Sequence, residues 1–282
     1  MQNLPKIDFL KDLEKLGFEI LSFEEFFKNI DLNTHFMTKP HKINFYNILY
    51  FNKTQDKHFV DFVEYKIKNN QLIFISKEQV HAFSKNIKHK GFIILFTEEF
   101  LKRNFITKEK SIFNICLKPI ILEDLNSEFE TIFKQLYSEY KKEKSLYKEK
   151  ILAILLNYLI LKYENSLQDK TINQKHKLIF EEFKELIYKN YFENKNVSFY
   201  AKYLKISSKH LNTITKEFVK LTAKQLIDSY LILEAKRQLA CTNKPIKEIA
   251  FNLGFYETTN FIKYFKKHTN ISPSKFKQNF TI

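Results

Sequence analysis

The chain has no tryptophan, three glycines and two cysteines in 282 residues, and only two of its 47 basic residues, Arg103 and Arg237, are arginine. Cys116 and Cys241 alone give no disulfide framework in a chain this long, which fits a reducing compartment, the cytoplasm by default. The N-terminus carries Asp8, Asp12 and Glu14 where a secretion signal needs an unbroken apolar segment. The longest apolar run, 151–161, is 11 residues with Asn157 inside it. A bilayer-spanning helix needs about 20, so no membrane partner is expected. There is no glycine-rich phosphate loop, G-x-S-x-G, H-E-x-x-H or C-x-x-C. No catalytic residue, metal or cofactor is expected from motifs. A chain this long ordinarily holds about 20 glycines, so Gly17, Gly91 and Gly254 each mark a place of interest.

What is present points to two folded domains. Hydrophobic residues at 44% and aromatics at 16% can close a core, so the net charge of +15 does not signal disorder. A/T-rich codon bias accounts for much of the lysine and phenylalanine, and a single Lys or Phe means little. The charge is nevertheless uneven, +11 over residues 174–282 against +4 over 1–173. Residues 8–16 read as a short helix stopped by Gly17. Residues 45–51, 58–67, 72–76 and 92–96 are short, aromatic and β-branched, and read as four strands joined by hairpins at Asn52 and Asn69-Asn70. In the second strand Phe59, Val63, Tyr65 and Ile67 share one face, an imperfect alternation suited to a small barrel or sandwich. Thr97 caps a following helix. Two amphipathic helices fill 123–164, and they serve equally well to cover the barrel or to pair subunits. The boundaries expected are 1–165 for the first domain, 166–177 for a polar linker and 178–282 for an all-α second domain.

The second domain carries the clearest signal. Residues 199–218 and 246–268 share one layout: a short helix with a small residue inside it (Ala201, Ala250), a tight turn at Lys205 or Gly254, then a second helix. This is the helix-turn-helix unit, whose second helix lies in the major groove of DNA. One copy is weak evidence; two in step, with second helices about 49 residues apart and an amphipathic helix over 221–242 between them, are much stronger. Entry into successive major grooves requires a separation of about 34 Å.

With these residues in view, the C-terminal part resembles the DNA-binding domain of the AraC/XylS family of transcription regulators. The resemblance rests on Ala201, Leu204, Ser207 to Leu211, Glu234-Ala235-Lys236, Ile246, Ile249-Ala250, Gly254-Phe255, Phe261, Phe265-Lys266-Lys267, Ser272-Pro273 and Phe276. Asn270 replaces the family's usual glycine and can take the same left-handed conformation; Lys277 replaces an arginine, weakening one phosphate contact. More loosely, Pro40-His41, Phe45 to Tyr50, Asp61-Phe62, Ile75-Ser76, Gln79-Val80-His81 and Phe96 to Phe100 resemble the cupin-like effector and dimerisation domain joined to many such regulators. The fold expected is therefore α+β and multidomain, a small cupin-like β-barrel with helices followed by an all-α domain with two helix-turn-helix units. The resemblance implies double-stranded DNA, a second copy of the chain, a small-molecule effector and RNA polymerase as partners.

On the first second-helix Leu211, Ile214 and Phe218 point inward and leave Lys209, Asn212 and Thr213, the positions that face bases in the family. On the second, Thr258, Thr259, Asn260, Ile262 and Lys263 are available. Neither helix has the arginine that commonly reads guanine, whereas Asn suits adenine and Thr or Ile a thymine methyl, so the operator is expected to lean toward A/T. Lys216, Lys220, Lys266 and Lys267 lie where phosphates would pass. A metal-dependent cupin enzyme fused to a DNA-binding module is the alternative, resting on His41, His81 and Glu64, with Ile43 in place of the second histidine of an H-x-H pair. A DNA-packaging protein uses the same charge but leaves the barrel without a purpose.

Overall fold

A computed structural model describes residues 15–29, 40–54, 56–84, 89–104, 119–123, 125–143, 146–166 and 173–280. These divide into two compact units, one made of the residues up to Ser166 and the other of those from Asn173 onward. Most of the helix expected over 8–16 lies outside the described residues.

The first unit is built on two antiparallel sheets. Strands β1 (Phe18–Ser22), β8 (Lys90–Phe96), β3 (Tyr46–Lys53), β6 (Gln71–Ile75) and β9 (Ile120–Leu122) form one, in that order. The other is β2 (His41–Lys42), β7 (Val80–Phe83), β4 (Lys57–Val60) and β5 (Val63–Lys66). Leu21, Leu49, Phe51, Ile73, Ile75, Ile93 and Leu95 of the first sheet share one core with Val60 and Phe83 of the second. Among the described residues the two sheets are not joined by ladder hydrogen bonds into a closed barrel.

The stretch 58–67, expected as one strand, is two. Asp61 and Phe62 take positive φ, +46° and +69°, and fold it into a hairpin with Val60 opposite Val63. Asp suits the first position of such a turn, but Phe62 stands where glycine is usual, so local sequence hid it. Tertiary contacts hold it: the Asp61 carboxylate accepts from Gln79 Nε2 at 2.8 Å and from the Val80 amide at 3.1 Å. The hairpin leaves β5 at a sheet edge with Val63 50% exposed, which is why the alternation there was imperfect. Gly17 has φ +75°, and Thr97 accepts from the Phe100 amide, as a glycine stop and an N-cap require.

Four helices accompany the strands of this unit among the described residues. Helix α1 (Phe23–Asn29) comes after β1, and α2 (Glu98–Asn104) after β8. Helix α3 (Ser127–Lys141) lies on the outer face of the larger sheet, with Phe133 stacked on Tyr50 at 4.6 Å. Helix α4 (Lys148–Ser166) buries Leu152, Leu156, Leu159 and Ile160 yet leaves Ile154 68% exposed, with Tyr158 and Leu161 also exposed.

Four histidines sit in or beside the first unit's core. His41, His58, His81 and His89 are all buried, and His58 Nε2 lies 3.3 Å from His81 Nδ1. Burial, reinforced by the neighbouring imidazoles, lowers the pKa of His58 to about 3 and lowers that of His81, and burial lowers that of His89 against the pull of Asp56. Glu64, by contrast, is exposed on β5 and paired with Lys57, so the structure does not bring it to His41 and His81. Among the described residues no group of three or more His, Cys, Asp or Glu is placed to hold a metal ion, and no helix is long and apolar enough to cross a membrane.

The second unit is helical: α5 (Gln174–Asn190), α6 (Val197–Tyr203), α7 (Ser208–Val219), α8 (Ala223–Cys241), α9 (Ile246–Asn252), α10 (Thr258–Thr269) and α11 (Pro273–Phe280). Helix α5 begins inside the stretch expected as linker, because the Asn173 side chain caps the amides of Lys175 and His176. The central helix α8 is not amphipathic as its spacing predicts. It buries Leu226, Ile227, Tyr230, Leu231, Ile232, Leu233, Ala235 and Leu239, together with the ion pair Arg237–Glu234. A helix buried on most faces is packed from several sides, and α8 has α7 on one flank and α9, α10 and α11 on others.

Candidate DNA-binding surface

The two helix-turn-helix units are built by one backbone device. In the first, the amide of Lys205 donates to Lys202 O at 3.1 Å and that of Ile206 to Ala201 O at 3.0 Å. In the second, Gly254 donates to Phe251 O at 2.9 Å and Phe255 to Ala250 O at 3.0 Å. Lys205 and Gly254 both have positive φ, +55° and +71°, which ends the first helix and turns the chain sharply. The buried Ala201 and Ala250 give the second helices room to cross. Each second helix ends on a left-handed residue, Lys220 or Asn270, whose amide donates to Lys216 O or Lys266 O.

Between turn and second helix the units differ by one residue. Ile206 leads straight to the cap Ser207, whose hydroxyl accepts from the His210 amide at 3.1 Å. Phe255 is followed by Tyr256, 96% exposed, and then by Glu257, whose side chain makes no capping bond to the helix backbone. Tyr264, half-buried on α10, donates to Asp228 of α8 at 2.7 Å and ties the second unit to the central helix.

The residues expected to read bases stand as follows. Lys209, Thr213, Thr259, Asn260 and Lys263 are exposed and Thr258 is half-buried. The Thr213 hydroxyl donates back to Lys209 O, and that of Thr259 to the Glu257 carboxylate. Asn212 is half-buried, and its Oδ1 accepts from the Ala223 amide at 2.8 Å, so it caps α8 from the side. The expected phosphate contacts Lys216, Lys220, Lys266 and Lys267 are exposed. Some lysines elsewhere in the unit have carboxylate partners, Lys184 with Glu181, Lys189 with Glu185, Lys224 with Asp228 and Lys244 with Glu248. Among the described residues Lys209, Lys216, Lys263, Lys266 and Lys267 have no carboxylate within ion-pair distance. The carboxylate of α7, Glu217, is instead turned to His176 Nδ1 at 2.7 Å. Both second helices thus carry positive charge without an acidic partner, which suits a polyanion.

Sequence reasoning missed His176, Lys195 and Asp228, which act through residues far away in the chain and leave no local signal. It also missed the reciprocal cap at the start of α8, although the spacing of Thr222 and Gln225 carries it.

Comparison with known proteins agrees with this geometry. A family model described as a helix-turn-helix domain matches residues 200–279. The "Probable transcription factor PqrA" of Proteus vulgaris is 36% identical over 73 residues, which span 26% of this chain and 60% of that protein. The melibiose operon regulatory protein of Escherichia coli K12 is 27% identical over 92 residues, 33% of this chain and 30% of that one. The chain thus spans less than two thirds of the length of either relative. A crystal structure of ToxT from Vibrio cholerae aligns with 94% of this chain and 98% of its own at 14% identity, with a TM-score of 0.46. Residues 200–279 form a helix-turn-helix domain.

Proposed function

We propose that the whole protein is a sequence-specific, DNA-binding transcription regulator acting in the cytoplasm. The observation that carries this reading is the pair of like-built units whose second helices hold exposed lysines without acidic partners. In it Lys209, Asn212 and Thr213 on α7, and Thr258, Thr259, Asn260 and Lys263 on α10, face base edges. Lys216, Lys220, Lys266 and Lys267 hold the flanking phosphates. With no arginine on either helix the operator leans toward A/T. The Asn212 carbonyl, already bound to Ala223, leaves its amide hydrogens as the freer group.

In vitro site selection tests this directly. Two short A/T-leaning half-sites about one helical turn apart are expected, and G/C-rich sites reject the base-reading assignment. If about six phosphates are neutralised, log K falls against log salt with a slope of about −5. A slope near zero sinks the phosphate assignment.

The first unit, in this reading, is a cupin-like domain that receives a small molecule in its aromatic and histidine-lined interior. The apolar strip of α4 at Ile154, Tyr158 and Leu161 pairs two chains, and RNA polymerase is the partner through which a signal reaches transcription. Light scattering that gives a strict monomer at working concentration removes the dimer from this scheme.

A further inference from the structure

We infer that the loop between α5 and α6 is a second strut that fixes the two DNA-reading helices relative to each other, with Lys195 as its positioning residue. This rests on the proposal that both helices enter one duplex.

The central helix α8 joins the units, but a single helix leaves a domain free to pivot about its line of attachment. The loop 191–196 supplies another point. At its near end Tyr200 of the first helix-turn-helix donates to Asn194 O at 2.7 Å, and the Tyr191 ring meets Tyr230 of α8 edge-on at 5.2 Å. Its far end reaches the second helix-turn-helix. The Lys195 ammonium donates to Gly254 O at 2.8 Å and lies 4.6 Å from the centre of the Phe255 ring. The Phe192 carbonyl oxygen occupies the space of a side chain at Gly254, 1.6 Å from where a Cβ would stand. Phe255 in turn packs on Phe261 and Tyr264 of α10, so the loop bears on the reading helix through one ring. Lys195 is half-buried, and burial lowers its pKa. A lysine on this basic domain has no need to leave water for charge reasons, and the carbonyl and the ring face reward its position. The first helix-turn-helix is tied to the second at the very turn that sets the angle of α10.

The test compares Lys195→Met with the full-length wild type. Nitroxide labels at Lys216 and Lys267 in DNA-free protein, with both cysteines replaced by serine, report the distance between α7 and α10. The variant is expected to broaden the distance distribution about twofold, and Lys195→Arg, which keeps the charge and the donor, to restore it. On the operator selected with wild-type protein, Lys195→Met is expected to bind about tenfold more weakly. It also tolerates insertion of one base pair between half-sites better than wild type does. Lys195→Gln replaces the methionine variant if that fails to fold. An unchanged distance distribution or an unchanged penalty for the inserted base pair overturns the strut. Selection that returns no paired site overturns the DNA reading alone, and the label distances still decide the strut.

Discussion

The two helix-turn-helix units reach the same backbone geometry by different means. The first is locally sufficient: Ser207 caps its reading helix, Asn212 pins that helix to the start of α8, and Lys205 holds a left-handed turn with an ordinary side chain. The second is held from outside. It has no side-chain cap, it carries the extra Tyr256, and its turn is pressed against Phe192 and Lys195 and its helix tied to Asp228. Duplicated architecture therefore does not imply duplicated energetics. One copy draws its shape from its own sequence and the other from its neighbours.

Substitution at the turns gives the largest expected separation. Gly254→Ala places a Cβ inside the Phe192 carbonyl at a positive φ, and is expected to destabilise the C-terminal unit by about 3 kcal/mol or more in urea unfolding. A loss below about 1 kcal/mol would show that the loop yields and the contrast between units is shallow. Asn212→Ala removes the bond to Ala223 and is expected to cost about 1 to 2 kcal/mol, while Asn212→Asp keeps the acceptor and most of the stability. Equal losses for the two variants would place the role of Asn212 elsewhere. Ser207→Ala is expected to cost about 1 kcal/mol, against a change near zero for Glu257→Ala, which loses no capping bond. Comparable thermal shifts for that pair erase the asymmetry at the caps. The smallest effect has the opposite sign: Lys205→Gly relieves a left-handed lysine and is expected to gain about 0.5 kcal/mol by denaturant midpoint.

The same division explains what the sequence showed. Ala201 and Ala250, the glycine at 254 and the spacing of Leu211, Ile214, Phe261 and Phe265 are local patterns, and they were enough to place both units and their reading helices. Asn270 was legible as a left-handed stop because its side chain tolerates that conformation. The hairpin at Asp61-Phe62 was not legible, since its turn depends on Gln79 and Val80, well away in the chain. Strands β1, β2, β7 and β9 were missed as strands; β2 is only two residues long and β9 three. The all-round burial of α8 follows from helices on several of its flanks, which no single-helix periodicity records. Asn212 shows the limit most clearly. Its outward position was read from helical spacing, but the partner that turns its carbonyl toward the protein lies on the next helix.

The buried imidazoles of the first unit carry a consequence for the whole chain. His58, His81 and His89 stay neutral in the fold because burial pushes their proton affinity down, whereas in an unfolded chain each binds a proton near pH 6.5. Hydrogen ion is thus a ligand of the denatured state. The stability that the neutral rings contribute is complete above about pH 6.5 and declines as the medium becomes more acid, by about 1.4 kcal/mol per pH unit for each proton taken up on unfolding. Mild acid selects against the N-terminal unit.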